Sequence, residues 1–277
     1  DAHRSELTDN LEARGAKVYI GQKAENIQDG IDVVVYTAAI HPDNPEFQEV
    51  KRRGIPMLTR AELLGEMMRN YKNAIAIAGT HGKTTTTSMV TEIFLQAKND
   101  PTISVGGILP AIGGNIRVGG PEFFVTEACE YTNIFLSFYP TMAVILNIEE
   151  DHLDFFKDLA DIEHSFHAFA DLVPQRGFVI ANADDSGAMA AVKGLAHPVF
   201  TFSLADRTAD CYARDVAIFD GCASFDVMIH GQLYAHVDLH IPGKHNILNA
   251  LAAASAADVL GIPGQAGTLG LEDFRGA

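Results

Sequence analysis

The sequence predicts an α/β protein in two parts, the second of which is a three-layer domain with a phosphate-binding loop. Short apolar segments alternate with helical segments along most of the chain, a pattern typical of parallel sheets covered by helices. One apolar segment runs directly into a glycine-rich loop, and clusters of polar residues follow two others. The length of 277 residues fits about two domains.

The first part shows a simple strand–helix alternation. The pattern predicts helices at 5–14 and 59–70 and strands at 16–20, 31–36 and 55–58. Gly15 stops the first helix, and Thr59 with Glu62 forms a capping box at the start of the second. Residues 71–73 separate this part from the next strand, so we place a domain boundary after residue 72.

The second part continues the alternation. The pattern predicts strands at 74–78, 123–127, 142–147 and 177–181, and helices that begin at Lys83 and span 159–172 and 245–260. Two further strands, 223–230 and 233–241, flank Gly231-Gln232, and a glycine in the first turn position favours a type II′ hairpin. Gly261 and Pro263 end the last helix.

Residues 74–85, with the sequence AIAIAGTHGKTT, predict a strand, a tight loop and a helix start that bind the phosphates of a nucleotide. Lys83 supplies a positive charge, and the Thr84 hydroxyl is suited to hold a magnesium ion. The widespread pattern G-x-x-x-x-G-K-[ST] is missed by one element, because Ile77 stands at its first glycine. The alternative is a strand–turn–helix junction in which glycine serves only the backbone. The candidate phosphate contacts are Gly79, Thr80, His81, Gly82, Lys83, Thr84 and Thr85.

Carboxylates follow two of the predicted strands. Glu127 and Glu130 lie at the end of the strand at 123–127, and residues 147–154, NIEEDHLD, follow the strand at 142–147. Since the carboxyl ends of parallel strands meet at one edge of a sheet, one of these carboxylates is placed to complete a magnesium shell beside Thr84. The alternative is an acidic, solvated loop.

Two further groups of polar residues lie on predicted helices. Asn246 and Asn249 are three residues apart and share a helix face, where they either present amides to a nucleotide or serve as a helix cap and a solvent-facing residue. His164 and His167 have the same spacing, but no third residue has a matching metal-ligand spacing. We therefore interpret the two histidines as a half-exposed helix face.

Composition excludes several classes of partner. Lys and Arg number 20 against 36 Asp and Glu, which gives a net charge of −16 and argues against nucleic-acid and anionic-membrane surfaces. Apolar runs fall short of the ~18 residues that span a bilayer, and the first residues lack a signal-peptide pattern. The three cysteines show no C-x-x-C spacing. These features predict a cytoplasmic protein with buried or idle thiols.

Taken together, four blocks in this order resemble the Mur ligase family of peptidoglycan precursor synthesis. The blocks are 79–84 (GTHGKT), 127–130 (EACE), 147–154 (NIEEDHLD) and 243–250 (GKHNILNA). The alanine-adding branch is the most similar, through 80–82, 127–131, Phe135-Leu136, 37–40 and 44–46. The resemblance implies a ligase that uses ATP to join L-alanine to UDP-N-acetylmuramate through an acyl phosphate. A neighbouring alternative is the ligase that re-attaches a recycled peptide, and another is a nucleotide-binding module without ligase activity.

The resemblance also implies roles for particular residues. Lys83 would bind the ATP phosphates, Thr84 and Glu127 one magnesium ion, and His152 a second magnesium ion near the sugar-acid carboxylate. Asn246 and Asn249 would meet the nucleotide. Many relatives carry a carbamylated lysine after the D-H pair, whereas this chain has no lysine between Lys157 and Lys193. That departure suits the alanine-adding branch.

Domain roles follow from the same resemblance. Residues 1–72 would be the remainder of a Rossmann-like domain that binds the UDP substrate, and 73–265 the central ATP-binding domain. Residues 266–277 would link to a third domain. The family begins with a glycine-rich strand and loop for UDP, so the expectation is an internal part of a longer enzyme, whose oligomeric state the sequence leaves open.

Overall fold

The computed structural model describes residues 1–37 and 39–276. Ala38, in one of the segments that carry the resemblance, and Ala277, the end of the predicted linker, lie outside the described residues. One compact unit ends at Leu64 and a second begins at Gly65. This division falls inside a helix that the sequence analysis assigned wholly to the first domain.

The first unit contains a small parallel sheet. Its elements are α1 (Glu6–Ala13), β1 (Val34–Tyr36), α2 (Pro45–Arg53), β2 (Met57–Thr59) and the start of α3 (Arg60–Met68). Strands β1 and β2 pair in parallel, with Val35 opposite Leu58. The capping box is present, since the Thr59 amide donates to the Glu62 carboxylate at 2.6 Å and the Glu62 amide to the Thr59 hydroxyl at 3.1 Å.

In this unit one predicted strand is absent and one helix is present that was not predicted. Residues 16–20 do not form a strand, because the segment is mostly exposed and no strand among the described residues pairs with it in a hydrogen-bonded ladder. Helix α2 was missed, although its signals are plain: the Asn44 side chain caps it, Pro45 begins it and Gly54 ends it at φ +66°.

The second unit is built on a ten-stranded sheet with the order β12-β11-β10-β9-β8-β7-β3-β6-β4-β5. Its strands are β3 (Asn73–Ala78), β4 (Thr102–Leu109), β5 (Gly114–Arg117), β6 (Phe123–Ala128), β7 (Met142–Ile145), β8 (Phe178–Asn182), β9 (Val199–Ser203), β10 (Cys211–Phe219), β11 (Cys222–Ile229) and β12 (Gln232–Pro242). Across the sheet, the strands between β10 at one side and β4 at the other pair in parallel with their neighbours. The pairs β4–β5, β10–β11 and β11–β12 are antiparallel. The predicted parallel strands are all present, with ends shifted by one or two residues.

Helices cover both faces of this sheet, which confirms the predicted three-layer α/β architecture. The helices are α4 (Lys83–Gln96), α5 (Leu159–Asp171), α6 (Ser186–Val192), α7 (His245–Val259) and α8 (Gly264–Asp273). Helices α4, α7 and α8 pack against one another in one layer, and α5 packs against α6 in the other. The core between sheet and helices includes Ile77, Ile93 and Leu251, all fully buried.

Helix α8 occupies residues for which the sequence analysis expected a linker. It packs along α4 and β12 rather than extending away from the domain. The approach to α4 is so close that a Cβ on Gly270 would lie 2.5 Å from the backbone nitrogen of Ile93. Glycine at this position therefore allows α8 to join the helical layer.

The predicted hairpin is present, but its turn differs by one residue. Ile229 pairs with Gln232, so the turn residues are His230 and Gly231. Both have positive φ, +48° and +76°, which defines a type I′ rather than a type II′ turn. In the described residues, none of the helices combines the length and apolar character that a membrane crossing requires.

Candidate functional site

The glycine-rich loop lies where β3 ends and α4 begins. Gly79 has φ +151°, and a Cβ there would lie 2.9 Å from the Leu146 Cβ. Gly82 has φ +87°, and its Cβ would lie 2.5 Å from the Asn249 side-chain oxygen. Any other residue would strain or displace the loop. Directly after it, the first turn of α4 presents backbone N–H groups that lack partners within the helix, which suits an anion.

Asn147, just beyond β7, holds this loop in shape. Its side-chain oxygen accepts from the His81 amide at 2.7 Å, and its side-chain nitrogen donates to the His81 carbonyl at 3.0 Å. The Asn147 carbonyl accepts from the Thr80 amide at 3.0 Å, and the Glu149 amide donates to the Thr80 hydroxyl at 2.9 Å. The sequence analysis included Asn147 in a polar cluster without giving it a separate role.

Lys83 turns its side chain back over the loop. Its ammonium group donates to the carbonyls of Gly79 and Thr80, and it forms an ion pair with Glu130 at 3.0 Å. Glu130 is only 2 % exposed, so Lys83 is the partner that compensates the loss of solvent around this side chain. In the sequence Glu130 is one of two carboxylates that follow the strand at 123–127, and its spacing predicts no separate role for it.

Glu127 lies beside Thr84, as the sequence analysis expected. The Thr84 hydroxyl donates to one Glu127 carboxylate oxygen at 3.0 Å, and the Gly106 amide donates to the other. The parallel register explains this, because Glu127 of β6 pairs with Ile77 of β3, two residues before the loop. Thr84 and Glu127 thus form an oxygen-rich pair at the start of α4.

His152 belongs to a different cluster. Glu130, Asp151 and His152 each place one ligand atom within 4.8 Å of the others. The His152 backbone has φ +53°, and its amide donates to the Asp151 carboxylate at 2.7 Å. Glu130 therefore lies between the two parts of the site, paired with Lys83 on one side and grouped with His152 on the other.

Asn246 and Asn249 are buried at the start of α7, each 5 % exposed. The Asn249 amide donates to the Asn246 oxygen at 3.0 Å, and the Thr86 hydroxyl donates to the Asn249 oxygen at 3.3 Å. The capping alternative is wrong, since α7 begins at His245 and Lys244 is its N-cap. Asn249 instead contacts α4 immediately behind the phosphate loop.

A cleft of about 520 Å³ adjoins the loop. Polar side chains of the segment that joins β8 to α6 and of the loop after β7 line it together with apolar ones next to β7, on β9 and on α7. The lining residues are His81, Gly82, Leu146, Asn147, Glu149, Asn182, Asp184, Asp185, Phe202, His245, Leu248 and Asn249. Asp184 and Phe202 escaped the sequence analysis, because neither lies in a recognisable motif. The volume and mixed lining suit a small ligand such as a nucleoside.

The cysteines and the two helix histidines take no part in this site. Burial raises the pKa of the Cys129 thiol and raises that of Cys211 to about 12, so both thiols stay protonated at neutral pH. His164 is exposed on α5, and the His167 ring bonds to the Ala191 carbonyl at 2.7 Å. Cysteine nucleophile chemistry and a metal site on α5 receive no support from this arrangement.

Two family descriptions cover most of the chain. Residues 77–257 match the Mur ligase middle domain, and residues 1–72 match the Mur ligase family catalytic domain. The chain therefore belongs to the Mur ligase family.

Two ligases of known function are similar to this chain over its whole length. The UDP-N-acetylmuramate–L-alanine ligases of Agathobacter rectalis and Lachnospira eligens are 52 % and 53 % identical to this chain over its whole length. The chain spans about 60 % of the length of each of these relatives.

Two solved structures of ligases are similar to the fold of this chain. The UDP-N-acetylmuramate:L-alanyl-γ-D-glutamyl-meso-diaminopimelate ligase from Neisseria meningitides superposes with a TM-score of 0.88 at 29 % identity, over all of this chain and 90 % of that one. The UDP-N-acetylmuramate-alanine ligase from Thermotoga maritima gives 0.83 at 28 % identity, over all of this chain and 62 % of that one.

Proposed function

We propose that this protein is an ATP-dependent ligase that joins L-alanine to UDP-N-acetylmuramate in peptidoglycan precursor synthesis. The observation that carries the ATP-dependent part is the phosphate loop, in which Lys83 is paired with a buried carboxylate and Thr84 with Glu127. Identity of about half the residues to alanine-adding ligases supports the substrates.

Two groups of side chains fit divalent cations, and Mg²⁺ is the cation we propose. Thr84 and Glu127 supply oxygen ligands next to the phosphate loop, and Glu130, Asp151 and His152 supply two carboxylates and an imidazole within 4.8 Å. When bound, Mg²⁺ neutralises charge on phosphate and carboxylate oxygens. Glu127 belongs to the first group and His152 to the second, which supports separate metal roles for the two residues.

Lys83 and the loop amides would bind the ATP phosphates. In the structure the Lys83 ammonium binds Glu130 and the carbonyls of Gly79 and Thr80. A bound phosphate would therefore have to displace one or more of these groups from the ammonium. The exchange leaves the Glu130 carboxylate available for a cation. The cleft beside the loop, with Asn249 in its lining, would receive the nucleoside.

The proposed reaction needs no protein nucleophile. The substrate carboxylate attacks the γ-phosphorus of ATP, ADP leaves, and an acyl phosphate results; the alanine amine then attacks the acyl carbon, and inorganic phosphate leaves. Such phosphoryl transfer depends on positioning and on stabilising charge at the phosphate oxygens. Lys83 supplies that charge from the protein itself.

The test uses the full-length gene product with UDP-N-acetylmuramate, ATP, Mg²⁺ and a panel of amino acids and peptides. We expect the fastest formation of ADP and ligated product with L-alanine. Faster reaction with a preformed peptide would replace the proposal by the recycling ligase, and ATP binding without any ligation would leave only a nucleotide-binding module.

A further inference from the structure

We propose that Tyr131 is a positioning residue that holds the His152 imidazole toward Glu130 and Asp151. This inference rests on the proposed metal role of those three residues. Tyr131 follows Glu130 directly in the chain, and its ring lies against that of His152. It thereby joins the loop after β6 to the loop after β7.

The contact between the two rings is a tilted stack. Their centroids are 4.5 Å apart and their planes are inclined by 35°. A flat ring at this distance restricts rotation of the imidazole, whose side chain is one-third exposed and whose Nδ1 lies 3.8 Å from an Asp151 carboxylate oxygen. Tyr131 therefore limits the directions in which the imidazole nitrogens can point.

Tyr131 is itself fixed on two sides. Its hydroxyl donates to the Asp154 carboxylate at 2.8 Å, and Phe155 packs against it edge-on with centroids 6.4 Å apart. Tyr131 as a whole residue is nevertheless 38 % exposed, so it is not an ordinary core residue. Both fixing residues come from the same loop as His152, and together they hold the ring over the imidazole.

This arrangement matches what residues behind a metal ligand do in other sites. Groups that orient a ligand keep its donor atom in one direction, and losing them typically costs about 10- to 100-fold in metal affinity. His152 has particular need of such support, because it adopts the left-handed conformation at φ +53° in a loop, not in a regular element.

The experiment is a Mn²⁺ titration of this 277-residue chain, followed by electron paramagnetic resonance, for the unsubstituted protein and four variants. We expect His152→Ala to abolish one class of bound Mn²⁺ and Tyr131→Ala to weaken the same class by about tenfold or more. Tyr131→Phe keeps the ring and should stay within about twofold, because only the bond to Asp154 is lost. Tyr139→Ala is the matched control, since that tyrosine is also half-exposed but contacts Arg69.

The possible results distinguish the positioning role of Tyr131 from the proposed metal role of Glu130, Asp151 and His152. If the unsubstituted chain binds no Mn²⁺, or if His152→Ala binds it unchanged, the metal role fails and the inference with it. If His152→Ala weakens binding but Tyr131→Ala matches Tyr139→Ala, the metal role stands and the positioning role is overturned. Thermal unfolding checks each variant, and Tyr131→Leu, for which we expect the same loss, replaces the alanine variant if the latter does not fold.

Discussion

Lys83 and Glu130 form the pair on which the phosphate site depends. The lysine side chain is 18 % exposed and the glutamate side chain 3 % exposed, so both are mostly shielded from solvent. Removing either partner leaves the other charged and poorly solvated, so each substitution affects stability as well as phosphate binding.

The effects of Lys83 on stability and on phosphate binding can be measured separately. In the full-length enzyme, Lys83→Ala should lower turnover by about 100-fold or more, because a charge that stabilises the transferred phosphoryl group is lost. In this chain it should also lower the free energy of unfolding by about 1–3 kcal/mol, since Glu130 loses its partner. Urea unfolding and steady-state kinetics measure the two effects.

A double variant provides the control for Lys83. Adding Glu130→Gln to Lys83→Ala removes the unpaired buried charge, so stability should recover while turnover stays low. Lys193→Ala, at an exposed lysine on α6's C-terminal end, should change neither quantity. Near-normal turnover of Lys83→Ala at saturating ATP would remove the lysine from the phosphate site.

At the scale of elements, α8 is the clearest departure from the sequence analysis. It packs along α4, whose first turn forms part of the phosphate site, and Gly270 provides the space for this contact. A helix in this position supports α4 from behind.

Gly270→Ala should therefore destabilise the second unit by about 1–3 kcal/mol, because a Cβ would overlap the backbone of Ile93. Urea unfolding measures the change. Gly114→Ala is the control: a Cβ there has no atom within 4 Å, and we expect a change within about 0.5 kcal/mol. Equal stability of the two variants would show that α8 does not pack on α4 in solution.

The hairpin at the sheet edge supplies a pH-dependent contact. A hydrogen bond to Asp226 at 2.8 Å raises the pKa of His236, so the charged imidazole is favoured in the folded state. The stabilisation is fully present below the unfolded-state pKa of about 6.5 and is lost as pH rises through the higher folded-state pKa.

We expect the melting temperature of the unsubstituted chain to exceed that of His236→Gln most clearly near pH 6, and the difference to shrink toward pH 8.5. The exposed His240 on the same strand gives the control variant His240→Gln, which should show no such trend. A difference that grows with pH would contradict the assigned ion pair between His236 and Asp226.

At the scale of the whole molecule, charge decides which partners are excluded. The net charge is −16, and Lys83 at the phosphate loop is itself paired with Glu130, so anion binding has to depend on the shape and donor groups of the loop. The mostly parallel sheet places the phosphate loop, both carboxylate clusters and the cleft at the carboxyl ends of its strands, where open α/β sheets bind ligands.

We expect this chain to show no binding to duplex DNA at 50 mM salt, because repulsion from phosphate outweighs any local attraction. Fluorescence polarisation with a labelled duplex measures it, with and without Mg²⁺ to test bridging by the metal. Saturable binding that weakens with added salt would overturn the exclusion of nucleic acid.

The sequence by itself determined the features that depend on neighbouring residues. The phosphate loop, the capping box at Thr59 and the predicted parallel strands of the second unit follow from local backbone requirements and from apolar runs of strand length. That a carboxylate after a neighbouring strand would lie near Thr84 also followed, since parallel strands bring their carboxyl ends together. The assignment of 1–72 to the UDP substrate and the cytoplasmic location stay predictions.

Only the tertiary structure decided which polar side chains meet. Glu127 and Glu130 are equivalent in the sequence, three residues apart; the fold pairs Glu127 with Thr84 and buries Glu130 between Lys83 and His152. Asn249 and the α8 glycine likewise depend on contacts between elements far apart in the chain. Periodicity fixes the face of an element, whereas the partner of a buried charge depends on how whole elements pack, which no local pattern encodes.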